Sequence, residues 1–173
     1  AILERRMLPL MEERSVMLRD HGIRDVQVTN VRGHLTDHYN PANKTLNLSD
    51  SVYNSNSVAA AAVAAHECGH AVQHAEGYAF LKMRSALVPI VQFSSMFAQI
   101  VIILGLIMMT AFPALYWIGI AMFFMIFLFS AITLPVEYNA SARALAWLER
   151  SNTLSQVELE QAKTTLSWAA RTY

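Results

Sequence analysis

From Ser85 to Val136 the chain runs for 52 residues without one Asp, Glu, Lys, Arg or His. No other feature restricts the fold so tightly. A helix needs about 20 apolar residues to cross a hydrocarbon core of about 30 Å. Two segments of near that length are present, Met96–Phe112 and Ala114–Leu134, with Pro113 between them to break a continuous helix. The expectation is a two-helix transmembrane hairpin over 87–136, with a buried helical pair in a soluble protein as the less favoured reading. Tyr116 and Trp117, near the turn, suit an interfacial belt. The flanks carry Lys82, Arg84, Arg143 and Arg150 while the turn is uncharged, so the positive-inside tendency puts both flanks in the cytoplasm.

Outside that stretch the charge density is that of a soluble domain. Lys plus Arg and Asp plus Glu both number 13, a balance that gives no basic footprint for nucleic acid, and none is expected as a partner. At 173 residues the chain is long enough for one domain. Its single cysteine, Cys68, excludes an intrachain disulfide and reads as a small packing residue.

Met11 to Asp20 reads as a helix closed by Gly22. Arg24–Val31 alternates as a short strand. Leu35–Tyr39 and Lys44–Leu48 flank the turn residues Asn40-Pro41-Ala42-Asn43, which predicts a hairpin. The expected fold class is mainly α with a small antiparallel β element. Ser55, Asn56 and Ser57 offer N-caps for an alanine-rich helix from Val58 to about Ala75, and Gly77 ends it. After the hairpin, helices are expected at Glu137–Arg150 and Ser155–Tyr173.

The alanine-rich helix contains His66-Glu67-Cys68-Gly69-His70, an HExxH sequence. Residues four apart share a helix face, so the two imidazoles can converge on one ion, and Glu67 beside them can serve as general base without being a ligand. Zinc suits such ligands, and its catalytic sites take three protein ligands and leave one position open. The third ligand needs separate argument. His74 continues the spacing but lies about 12 Å along the axis from His66, so it is assigned a second-shell, substrate-side or solvated role. His34 and His38 lie in a strand-like segment, where one could line the cleft or both could be surface residues. Glu137, directly after the uncharged stretch, is the better candidate, since two histidines and a glutamate form an established catalytic set. On position alone, an interfacial charge is an equally good reading of it.

The segments GHLTDHYNP, VYNSNSVAAAAVAAHECGHAVQH, YAFLKMRSALVPIV and LPVEYNASARAL resemble, in order, the YugP-like neutral zinc metallopeptidases of bacterial membranes, over about Leu18 to Tyr173. The resemblance implies a gluzincin-type enzyme with His66, His70 and Glu137 as zinc ligands and Glu67 as catalytic base. It also implies a zincin-like catalytic domain interrupted by the hairpin, with halves at 1–86 and 137–173. The layout is similar to that of the HtpX heat-shock proteases, in which an acidic residue tends to follow the ligand glutamate by four positions. Here that position is Ser141, so no acidic partner is assigned. Asn139 and Arg143 are the polar candidates for orienting a ligand or stabilising an oxyanion. Family members carry further membrane helices, so the chain is expected to be a piece of a longer protein.

The expected activity is that of a membrane-bound zinc endopeptidase acting on protein or peptide substrates, in the lipid bilayer of a bacterial inner membrane. The alternative is a non-catalytic, zinc-stabilised membrane scaffold, against which the intact Glu67 speaks because structural zinc needs no base. An intramembrane-cleaving protease ranks lower, since the apolar stretch follows the motif. The Lys44–Leu48 strand is expected to offer an edge to an extended substrate. Nothing in the sequence defines a specificity pocket or an oligomeric state.

Overall fold

The structure, a computed structural model, describes residues 16–170 except 35, 56 and 153. The expected helix from Met11 is described only from residue 16; residues 16–20 are helical, and Gly22 ends them at φ 72°. Three strands follow: β1 (Gln27–Val31), β2 (His38–Asn40) and β3 (Thr45–Ser49). The β2–β3 hairpin is antiparallel and pairs Tyr39 with Leu46, while β1 adds to the other side of β3 in parallel. The sheet is therefore mixed, in the order β1-β3-β2. This corrects the expectation for Lys44–Leu48, which forms the middle strand and has no edge to offer. Alternation identifies a strand but not its neighbours, and the β1 partner is set by tertiary packing.

A short helix α1 (Asp50–Tyr53) leads to α2 (Val58–Ala75). Ser57 caps α2 by accepting from the Ala60 amide at 3.2 Å, a contact worth about 1 kcal/mol in typical helices. Its C-terminus closes through Tyr78 N–H donating to Gln73 O and Gly77 N–H donating to His74 O, with Gly77 at φ 67°. That is the left-handed closure glycine makes inexpensive. Helix α3 spans Ala79–Ile107, α4 spans Pro113–Arg150 and α5 spans Gln156–Ala170.

Two expected boundaries change. The first apolar helix begins at Ala79 and ends at Ile107, so 108–112 belong to the turn. The second starts at Pro113 and continues through Glu137 to Arg150, so the expected separate helix at Glu137 is its continuation. Proline at a first helical position loses nothing, which is why Pro113 opens a helix as well as breaking one. Pro89 and Pro135 both lie inside helices, as prolines do in apolar helices where local adjustment satisfies the freed carbonyl.

Contacts divide the chain into two compact units, one running to Tyr78 and resuming at Glu137, the other Ala79–Val136. In the first, Leu46 and Leu48 of β3 pack with Met17, Leu18, Val52 and the alanines of α2. Trp147 and Leu148 of α4 and Ala162 and Leu166 of α5 complete that core. In the second, α3 and α4 are long and apolar enough to cross a membrane. They approach closely at two glycines. A Cβ on Gly105 would lie 2.5 Å from the Tyr116 Cα, and one on Gly119 would lie 2.5 Å from Ile102. Phe93, Met96, Ile103, Phe124 and Phe127 are exposed.

Candidate metal centre

Helix α2 places His66, Glu67 and His70 on one buried stretch, and α4 brings Glu137 against it. The four are 9%, 9%, 8% and 2% exposed, so a polar cluster is held where unpaired charge is costly. The Glu137 Oε2 lies 3.0 Å from His66 Nε2 and 3.4 Å from His70 Nε2. Ligand atoms of these three residues all fall within 4.8 Å of one another. Zinc bonds of about 2.0–2.1 Å in tetrahedral geometry separate neighbouring ligand atoms by about 3.4 Å, so the spacing fits that ion. The donor set, two imidazoles and a carboxylate, fits it too. His74 is not part of the group, and neither His34 nor His38 is.

The close approach depends on Gly69, the residue before His70. A Cβ there would sit 2.6 Å from the backbone oxygen of Ala140, one turn along α4 from Glu137. Only glycine lets the two backbones meet at that distance. The HExxH pattern itself leaves position 69 unspecified.

Each of the two clustered imidazoles has a second partner. His66 Nδ1 lies 3.1 Å from the Ser141 hydroxyl, and His70 Nδ1 lies 3.0 Å from Gln73 Oε1. Burial works against a charged His70, but its hydrogen bond to Glu137 and the Glu67 and Glu137 charges outweigh that and raise its pKa. Gln73, fully buried, donates through Nε2 to Asn139 Oδ1, which also accepts from Arg143 Nε. Arg143 Nη2 reaches Glu76 at 2.7 Å. The sequence points to Asn139 and Arg143 and marks the Ser141 position without giving it a role, while Gln73 is not distinguished there. Gln73 and Ser141 both sit at helical spacing from a member of the cluster, three after His70 and four after Glu137, and that spacing is the signal the sequence holds.

Glu67 stands outside the three-residue group. Its Oε2 accepts from the Tyr39 backbone N–H of the edge strand β2 at 3.1 Å. Tyr39 also ties His74, through a 2.9 Å contact between its hydroxyl and Nδ1. Partial burial raises the Tyr39 pKa, so the phenol stays protonated. His38 is exposed on the sheet, bonded to Thr36 O and Asn47 Nδ2, with no part in the cluster.

Residues 11–173 match the family described as "Putative neutral zinc metallopeptidase". The chain belongs to this metallopeptidase family. It is also 40% identical over 153 residues to a protein of Bacillus subtilis (strain 168) named "Putative membrane protease YugP", covering 88% of this chain and 67% of that one. No solved structure gives a significant match. Membership accounts for the family resemblance read from the sequence blocks.

Proposed function

We propose that the chain is a membrane-bound zinc endopeptidase in which His66, His70 and Glu137 hold the ion and Glu67 is the general base. The observation that carries this is the buried convergence of the three ligand atoms with Glu67 beside them but outside their group. Zinc held there would polarise a peptide carbonyl and make a water molecule acidic enough to react near neutral pH.

The remaining steps belong to the protein's own groups. Glu67 takes a proton from the attacking water as its oxygen bonds to the carbonyl carbon, and returns that proton to the amine as the C–N bond breaks. The products are a carboxylate and an amine. The Tyr39 amide holds one Glu67 oxygen, which limits how the carboxylate can turn. Asn139 and Arg143 are committed to Gln73 and Glu76, which favours ligand orientation over oxyanion binding as their role.

The bilayer is part of the proposal. Two apolar helices with outward-facing Phe, Ile and Met side chains support membrane insertion, and Lys82, Arg84, Arg143 and Arg150 support a cytoplasmic site in a multi-pass bacterial inner-membrane protein. The catalytic unit would then comprise the segments on either side of the hairpin.

The experiment is to purify wild type and Glu67→Gln in detergent, then measure zinc per chain and casein or self-cleavage. One zinc in both, with cleavage lowered about 10²–10⁴-fold in the variant, is expected for a general base. Zinc in both without cleavage by the wild type on any substrate would favour the zinc-stabilised scaffold.

A further inference from the structure

We propose that Gln73 is a positioning residue for His70, and that Arg143, acting through Asn139, fixes which end of the Gln73 amide faces the imidazole. The proposal rests on His70 being a metal ligand.

The assignment follows from donor and acceptor chemistry alone. A guanidinium only donates. Arg143 Nε lies 2.8 Å from Asn139, so the atom it meets is the acceptor Oδ1. The same oxygen lies 3.0 Å from Gln73, whose facing atom must be the donor Nε2. The other amide atom, Oε1, is then left 3.0 Å from His70 Nδ1. Facing an acceptor, Nδ1 carries the hydrogen. A neutral imidazole so protonated has its lone pair on Nε2, the atom that faces Glu137.

The unvarying polarity of one arginine thus passes through two amides and reaches the ligand as a choice of tautomer. Glu76 holds the far end of Arg143 at 2.7 Å. Gln73 is fully buried, so a reversed amide would place its NH2 group against Nδ1 with no water to relieve it. Reversal would draw the proton to Nε2 and turn the lone pair away from the cluster. His66 has no such control, since the Ser141 hydroxyl on its Nδ1 can donate or accept.

The test measures zinc dissociation constants by competition with a chromogenic chelator, on the full chain in detergent. Five proteins are compared: wild type, Gln73→Met, Gln73→Glu, Arg143→Met and the Gln73→Glu/Arg143→Met double variant. Methionine keeps the volume and removes both amide atoms, and should weaken zinc about 10–100-fold, as losing an outer partner of a ligand typically does. Arg143→Met should weaken zinc by a smaller factor in the wild-type background. In the Gln73→Glu background it should not weaken zinc, because a carboxylate accepts from His70 at either end, and without Arg143 the Asn139 amide is free to turn its NH2 group toward that carboxylate.

Equal weakening by Arg143→Met in both backgrounds would overturn the relay, since a purely structural arginine would act in each. Wild-type affinity in Gln73→Met would overturn it too. A wild type that binds no zinc would instead overturn the ligand role of His70. Thermal unfolding of the metal-free proteins shows whether Gln73→Met has failed to fold, in which case the Gln73→Glu/Arg143→Met comparison decides alone.

Discussion

Helices α2 and α3 are both long and mostly apolar, yet α2 is buried along most of its length and α3 at three residues only. Along α2 the buried residues are mostly small or polar: alanines, Gly69, Cys68, Val72, His66, Glu67, His70 and Gln73. Along α3 only Ser94, Ala98 and Gly105 are buried, and the large side chains point outward. A water-facing helix hides its apolar stripe, whereas a lipid-facing one gains nothing by doing so and hides its small residues where helices touch. Helix α4 contains both regimes, with Trp117, Phe124, Phe127 and Leu134 exposed along its apolar part, then Glu137, Ser141 and Arg143 meeting partners in the first unit.

The most damaging way to break the comparison is to unpair the polar side. Glu137→Gln removes the charged member of the cluster, and zinc affinity should fall by more than the roughly 100-fold that loss of an outer partner can cost. Chelator competition reads this directly. Unchanged affinity would mean the trio is not the metal site.

On the apolar side, Phe127→Lys places a charge at a position 67% exposed within the apolar part of α4. If lipid is its solvent, insertion should be disfavoured by about 2.5–3.5 kcal/mol. The matched control is Val157→Lys on α5, 70% exposed, where a change within about 0.5 kcal/mol is expected in water. Membrane fractionation and glycosylation-site insertion assays compare the two. Equal tolerance would remove the case for a membrane hairpin.

Gly69→Ala sharpens the contact between α2 and α4. The added Cβ meets the Ala140 backbone oxygen at 2.6 Å, which a side-chain rotation cannot relieve. Overpacking of this kind costs about 1–3 kcal/mol, and the shift should carry Glu137 away from the imidazoles. Both the metal-free unfolding temperature and zinc affinity should fall. A fall in stability with unchanged affinity would show that Glu137 holds its place independently of the helix contact.

Much of this was legible in the sequence, and the limits have physical causes. The α2 boundaries could be read because Ser57, the unbroken alanine run and Gly77 are local signals that agree. The parallel addition of β1 could not, because alternation in Gln27–Val31 marks a strand without naming its partner. Pro135 concealed the continuity of α4, since in water proline is a stop and in an apolar helix it is tolerated. His66, Glu67 and His70 stood out because one short motif carries them. Glu137 was visible by position and by resemblance; Gln73 stands at local helical spacing from His70, whereas Ser141 meets His66 only through a packing of α2 on α4 that no local pattern states.

The smallest expected effect lies at the outer end of the Arg143 chain. The hydrogen bond from Arg143 holds the Glu76 pKa below its ordinary value, slightly opposed by burial, on a side chain 54% exposed. A depressed folded-state pKa stabilises above the unfolded value of 4.5, and that contribution is lost as pH falls through the lower folded value. Exposed pairs are worth about 0.2–1 kcal/mol and are screened by salt. Glu76→Gln should therefore lower the unfolding temperature slightly at pH 7, and wild type and variant should converge once the pH has fallen below the depressed folded-state value. Zinc affinity should change far less than in Gln73→Met, because Arg143 Nε keeps its bond to Asn139 without Glu76. A loss of zinc as large as that of Gln73→Met would make the carboxylate a necessary end of the chain, and would move the boundary of the site from Arg143 out to the surface.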